Sequence, residues 1–378
     1  MSNTIPALDD TMQMPTRQLG RNGPHVSAIG LGTMRMGSAD GTSDVKTAHE
    51  ALTYAADHGM TFWDTSDVYG DGEEILGSWF TSNPTRRASI FLATKFGGRL
   101  PTGTSFTSPH PPNTPISSPS YIHHALQSSL KRLKTTYIDL YYQHRVDPSV
   151  PIEVVLLTLA PYLANGTIRW IGLSECSADT LRRAKSVEGV GERVVCVQDE
   201  FSPFSLQVER DGFAGVCEEL GVSIVAYSPL GRGMMSGRYK SRADFVPTDV
   251  RLRFPRFSEA NFPKNLVLVD KFQEVAAEYN GADGVVTTNQ IVLAWILASR
   301  PTFIPLPGCR TPFHIAENAR AALLSTLLSP SDVQALTKIC KDAEVSGARY
   351  PEGPHLAATK GDCIRLSEWE GGSKGKGE

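Results

Sequence analysis

Residues 62–70 read FWDTSDVYG: an apolar run ends on Asp64, and a second aspartate at 67 and a tyrosine at 69 follow within a few residues. Either this is a capped turn before a helix, or it is the reactive end of a buried strand. The choice depends on what the rest of the chain places beside it.

From residue 28 onward, β-rich runs alternate with segments of helical period, as in parallel βα units. The runs are AIGL (28–31), TFWD (61–64), SIFLATK (89–95), YIDLYYQ (137–143), TIRWIGLS (167–174), RVVCVQ (193–198), VSIVAYS (222–228) and TFIPLPG (302–308), eight in all. Between them, YIHHALQSSLKRL puts Ile122, Ala125, Leu126, Leu130 and Leu133 on one helical face, and FAGVCEEL does the same with Phe213, Val216, Cys217 and Leu220. Eight such units can close into an α/β (β/α)8 TIM barrel with reactive groups at the C-terminal strand ends. An open doubly wound sheet has the same local pattern, so periodicity alone leaves both open.

Ahead of the first strand, TRQLGRNGPHVSAIG has a Gly-rich centre between two short alternating runs and reads as an N-terminal β-hairpin closing the barrel bottom. Residues 1–16 are expected to be a flexible segment, 17–345 one barrel domain, and 346–378 a tail whose Gly/Lys-rich end is disordered. A Pro/Ser/Thr-rich stretch (99–120) and a long excursion (229–288) follow the third and seventh strands, on the catalytic face of a barrel.

The 378 residues carry 40% hydrophobic and 20% charged side chains, enough for a large core in a soluble protein. A net charge of -3 offers no basic field for nucleic acid or an anionic membrane, which leaves small-molecule chemistry. The six cysteines lie more than fifteen residues apart and read as reduced thiols. With no signal peptide and no long apolar span, the expected location is cytoplasmic.

Asp64, Tyr69, Lys95 and His144 all fall at or just after the ends of consecutive strand runs. Taken singly, each has an ordinary reading: Asp64 or Asp67 as a helix cap, Lys95 as a solvated rim lysine, His144 as a loop histidine. Their joint placement on one barrel face favours chemistry. A neighbouring ammonium lowers the pKa of a phenol, an anionic partner keeps that ammonium charged, and a histidine can orient a carbonyl oxygen. These roles suit carbonyl reduction with a general acid, and leave Asp67 as the structural cap. No metal site is expected: H-E-x-x-H is absent, and His123 and His124 lie on an amphipathic helix as surface residues. Nucleophile-elbow and Walker patterns are missing too. Neither GLGTMRMG nor GRGMMSG has Rossmann glycine spacing. The late segment IPLPGCRTPFHIAEN instead runs from a strand end through Gly308 into a helix N-terminus, where Arg310 can clamp a phosphate.

Through DTSDVYG, ATKFGG, YIDLYYQHRVDP, IRWIGLSECS, VAYSPLGRG and IPLPG, in this order, the chain resembles the aldo-keto reductase superfamily, most closely its pyridoxal-reductase and general aldehyde-reductase branch. The resemblance implies a barrel using NADPH/NADP+ on a small-molecule carbonyl substrate. Tyr69 would be the proton donor, Lys95 and Asp64 would tune its pKa, and His144 would orient the carbonyl. It further implies cofactor contacts from Gly32 and Thr33, from Ser174 and Gln198 to the carboxamide, and from Tyr227 stacking on the nicotinamide. Ser228, Leu230 and Arg232 would line the pyrophosphate, and Gly308, Arg310, Glu317 and Asn318 the adenosine end. Glu175 stands where relatives often carry asparagine, and Thr311 follows Arg310 where a second basic residue is common, so one arginine supports NADPH over NADH. Trp63, Phe96 and Arg145 are candidates for the substrate pocket, with a bulky apolar carbonyl or a range of aldehydes as its occupant. The same resemblance leaves open a cofactor-binding regulatory subunit like the potassium-channel β subunits, or an alcohol dehydrogenase oxidising a pyridoxine-like alcohol. Oligomeric state is open.

Overall fold

The structure, a computed structural model, describes residues 14–37, 44–101, 114–281, 284–353 and 359–371. Most of the expected flexible start, the centre of the 99–120 loop and the Gly/Lys-rich end lie outside the described residues.

A hairpin of β1 (Thr16–Gln18) and β2 (His25–Ser27) precedes the sheet. The parallel strands are β3 (Leu31–Gly32), β4 (Phe62–Asp64), β5 (Phe91–Phe96), β6 (Ile138–Gln143), β7 (Ile168–Ser174), β8 (Val194–Glu200), β9 (Ser223–Tyr227) and β10 (Phe303–Leu306). Each pairs with the next. The last and first then meet: Gly32 bridges Gly308 in parallel, and Gly30 and Gly32 donate their N–H groups to Pro305 and Pro307. This closes the (β/α)8 barrel. Glycine lets the strands approach closely at the seam, where a Cβ on Gly32 would lie 3.2 Å from the Pro307 carbonyl oxygen, a tight contact.

Helices α1 (Val45–Asp57), α2 (Gly72–Ser82), α3 (Pro119–Leu133), α4 (Ile152–Ala164) and α5 (Ala178–Lys185) alternate with the strands. They are followed by α6 (Gln207–Arg210), α7 (Phe213–Glu219), α8 (Phe262–Glu278), α9 (Thr288–Ser299), α10 (Pro312–Leu327) and α11 (Pro330–Asp342). Helix α3 shows why. Pro119 sits in its first turn, Ile122, Ala125, Leu126 and Leu133 bury one stripe, and Lys134 ends it in the left-handed conformation at φ 50°. No helix among the described residues is long and apolar enough to cross a membrane.

The strand pleat sorts side chains into two apolar layers. Phe62, Ala93, Leu140, Tyr142, Cys196, Val225 and Ile304 fill the barrel, with Leu19 and Val26 of the hairpin plugging it. The hairpin is pinned at the N-terminal strand ends, where Gly20 N donates to Ser223 Oγ at 2.8 Å and Arg21 N to the Gly221 carbonyl at 2.8 Å. With the bottom closed, the polar inward residues are confined to the opposite mouth.

Candidate active site

At that mouth the pleat turns Asp64 and Lys95 inward from adjacent strands. Lys95 is wholly buried, ion-paired with Asp64, and its Nζ also donates to the Thr65 carbonyl at 2.8 Å and to Tyr69 Oη at 3.4 Å. Gln198 Nε2 bonds the other Asp64 oxygen at 2.9 Å, and Thr33 Oγ1 bonds its backbone carbonyl at 2.9 Å. His144 follows β6 and meets the Tyr69 ring edge-on, with centroids 5.8 Å apart. Four residues separated by up to eighty positions thus share one pocket floor, with Tyr142 beneath Lys95.

Burial pulls the Lys95 ammonium down, but Asp64 and then Tyr69 more than reverse this, so it stays charged. For Tyr69 the balance differs from the sequence expectation. Burial raises the phenol's pKa, and although Lys95 pulls against it, the net direction is upward. The phenol is therefore fully protonated, with a cation poised beside it. Burial, then the cations Arg145, Lys95 and Arg99, hold His144 well below the usual histidine range and keep its imidazole neutral.

Three sequence readings change here. Asp67 does not cap a helix: α2 starts after Asp71, and Asp67 is buried, accepting bonds from Ser66 Oγ and Tyr121 Oη. Trp63 and Phe96 lie on the outward side of the pleat, fully buried under the helices. Trp63 packs on Trp79 and Phe80 and donates to the Met60 carbonyl, while Phe96 stacks on Tyr141. Neither is open to a ligand. Arg145 does reach the mouth, bonding Ser174 Oγ at 3.2 Å and its neighbour's carbonyl at 2.8 Å.

Sequence reasoning missed a buried ionic cluster on the other side of the mouth. Glu175 pairs in fork-to-fork geometry with Arg349, at 2.7 and 2.8 Å, and accepts from Tyr227 Oη at 2.8 Å. Tyr350 Oη lies 3.0 Å from Tyr227 Oη. Burial raises the Glu175 carboxyl, but the Arg349 hydrogen bonds and charge outweigh it and leave it at about 2. Asp199 is pushed well above the carboxylate range by burial and then by Glu175. Glu200 binds Arg256 at 3.1 Å and Arg232 at 3.4 Å. Glu175, Ser228 and Arg232 all adopt left-handed backbone, at φ 51°, 51° and 57°, a strain that gathers at functional sites. The sequence signal was the pair of acids ending VQDE at 197–200 and the acid after Ser174. Nothing local pointed to Arg349.

Beyond the mouth, Leu230, Gly308, Arg310, Glu317 and Asn318 line a cavity of about 400 Å³ with Asn289, Arg35, Arg238 and Arg251. Two of its side-chain oxygens, Asn289 Oδ1 and Asn318 Oδ1, are buried with no hydrogen-bond partner among the described residues. Arg310 is exposed at the N-terminal end of α10. Orphaned acceptors beside cationic side chains and a helix N-terminus fit a purine and phosphate ligand.

The chain belongs to the aldo/keto reductase family of oxidoreductases, whose model matches residues 28–341. It is 44% identical to aldo-keto reductase yakc [NADP(+)] of Schizosaccharomyces pombe over 346 residues, which cover 90% of this chain and 96% of that one. Aldo-keto reductase str7 of Strobilurus tenacellus is 40% identical over 346 residues, with 89% and 95% covered. Probable aldo-keto reductase 1 of Glycine max is 35% identical, with 90% and 93% covered.

Proposed function

We propose that the protein reduces aldehydes or ketones to alcohols with NADPH, using Tyr69 as the general acid. The observation carrying this is the Lys95 ammonium bonded at once to Asp64 and to Tyr69 Oη. Tyr69 gives its proton to the carbonyl oxygen, and the adjacent ammonium stabilises the phenolate left behind. Asp64, fixed by Gln198 and Thr33, keeps Lys95 charged and aimed. His144 is neutral and directs one ring nitrogen at the same oxygen. NADPH, when bound, supplies the hydride to the carbonyl carbon.

The residues assigned to the cofactor are Gly32, Thr33, Ser174, Gln198, Tyr227, Ser228, Leu230, Arg232, Gly308, Arg310, Glu317 and Asn318. Support comes from the orphaned acceptors of Asn289 and Asn318, and the name of the Schizosaccharomyces pombe relative carries NADP(+). The substrate class is an apolar carbonyl of the kind taken by general aldehyde reductases. Arg145 is the one pocket candidate that remains at the mouth, and its guanidinium is already engaged by Ser174.

The test is Tyr69→Phe assayed by NADPH oxidation over aromatic, aliphatic and quinone carbonyls. Turnover should drop by about 10²–10⁴-fold, the usual contribution of general acid catalysis, while NADPH still quenches protein fluorescence with unchanged affinity. Undiminished reduction by the variant would remove Tyr69 as the acid. Nucleotide binding without turnover of any carbonyl by the wild type would favour a regulatory subunit.

A further inference from the structure

His144 presents its two ring nitrogens to different worlds. Nδ1 lies 3.0 Å from Ser66 Oγ, whereas Nε2 has no partner among the described residues. A neutral imidazole carries one hydrogen, so Nε2 is either a donor or an acceptor, and a carbonyl oxygen can use only a donor. What decides lies behind the ring. Ser66 Oγ, also approached by the Val68 N–H at 3.4 Å, is 3.1 Å from Asp67 Oδ1. The other Asp67 oxygen accepts from Tyr121 Oη at 3.2 Å. The hydroxyl has one hydrogen to give, and two acceptors compete for it.

The line His144–Ser66–Asp67 therefore has two closed arrangements. With Asp67 ionised, Ser66 donates to the carboxylate, Nδ1 must donate to Ser66, and Nε2 turns a lone pair to the pocket. With Asp67 protonated, its Oδ1–H donates to Ser66 Oγ, Ser66 donates to Nδ1, and the ring hydrogen sits on Nε2. One proton taken up at Nε2 and passed as a shift of hydrogens along the line to Asp67 thus exchanges acceptor for donor at Nε2, with no heavy atom leaving its place.

We propose that Ser66 and Asp67 are positioning residues that set the tautomer of His144, protonated Asp67 giving the Nε2–H form that serves carbonyl reduction and ionised Asp67 the Nε2 acceptor form that suits an alcohol hydroxyl. The surroundings support a proton on Asp67 near neutrality. Burial, then the Glu73 carboxylate on α2, push it up to about 7 against the pull of Ser66, Arg132 and Tyr121. Arg132 on α3 faces it but is committed to Glu73 at 2.6 Å. Glu73 also accepts from Thr94 Oγ1 at 2.6 Å, and the buried Tyr141 phenol on β6 adds no charge. Lys95 of β5 offers Asp67 only its backbone carbonyl, which takes the Asp67 N–H at 3.3 Å. Around His144, Arg145, Lys95 and Arg99 all oppose an imidazolium, so the ring answers to Asp67 by changing tautomer and not by charging.

What faces Nε2 rests on the reductase reading, but the tautomer is a property of the chain alone and is measured without nucleotide. Full-length protein labelled with ¹⁵N-histidine is followed by two-bond ¹H–¹⁵N correlation from pH 5.5 to 9, with the His144 signals assigned by their loss in His144→Gln. Wild type should pass from Nε2–H to Nδ1–H as pH rises through about 7. Asp67→Asn should hold Nε2–H throughout, since its amide donates to Ser66 Oγ and its carbonyl accepts from Tyr121. Ser66→Ala should lose the pH-linked exchange. The reductive kcat/KM should fall above pH 7 in wild type, about 10-fold per unit, and stay flat over that range in Asp67→Asn. A wild-type tautomer that is the same at both ends of the range, or an exchange that survives in Asp67→Asn, overturns the proposal. An exchange seen in a chain that reduces nothing would leave the tautomer assignment standing and remove the reductase reading instead.

Discussion

Asp67 has a consequence for stability as well as for the ring it controls. Its carboxyl stands at about 7 in the folded chain against about 3.9 when unfolded. Between these values the folded state binds the extra proton, so its contribution to stability is complete below pH 4 and is lost as pH rises through 7. Asparagine cannot titrate. Asp67→Asn should therefore gain on wild type as pH rises, by about 1.4 kcal/mol per unit across that window and a few kcal/mol at most. Urea midpoints at pH 5 and pH 8 check this, and an equal difference at both would refute it. Residue readings made from one window of sequence did least well here. Asp67 preceded a helix and looked like a cap, because exposure and the Tyr121 and Ser66 bonds are set by α3 and by the fold. Trp63 and Phe96 could have been placed: once Asp64 and Lys95 are taken as inward, the period of two sends their neighbours outward.

At the scale of elements, each strand run was legible because it is a short β-rich stretch closed by a turn; seven of the eight fall where they were read, while the first, read at 28–31, is the short strand Leu31–Gly32 and shares only Leu31 with the reading. The face of α3 was legible for the same reason, with Leu130 alone less buried than its neighbours. The start of α10 is where an element makes a ligand prediction. Its first turn opens on Thr311 and Pro312, with Arg310 beside an N-terminus that favours anions. A single charge-assisted contact is worth roughly 1.5–3 kcal/mol, so Arg310→Ala should weaken NADPH binding by about 10–100-fold and NADH by no more than about 2-fold. Fluorescence titration with both nucleotides reads this. Equal losses would mean that Arg310 does not meet the extra phosphate.

Across the whole molecule, the described residues after α11 fold back over the mouth and are stitched to the barrel. Gly361 N donates to the Glu175 carbonyl at 2.7 Å, Ser177 N donates to Gly361 O at 3.0 Å, and Arg183 holds the Cys363 and Ile364 carbonyls. Arg349 is their electrical anchor. Arg349→Ala would leave the Glu175 carboxylate buried beside Asp199 without its cation, which should cost about 3–5 kcal/mol in urea unfolding. Arg349→Lys, which keeps the charge and loses the fork, should cost less. None of this was legible, because the partners lie far apart in the chain and their charges read locally as ordinary surface residues.

The seam at Gly32 and Gly308 bears on how the chain is made. The first barrel strand leaves the ribosome early and keeps an unpaired edge until the last strand follows it out. Until then the nascent chain is an open sheet, and α1, which borders α10 in the finished protein, has no neighbour on that flank. Synthesis should thus pass through a long window in which chaperones can hold the chain, and a stop codon upstream of Phe303 should yield an aggregating fragment and not a smaller barrel.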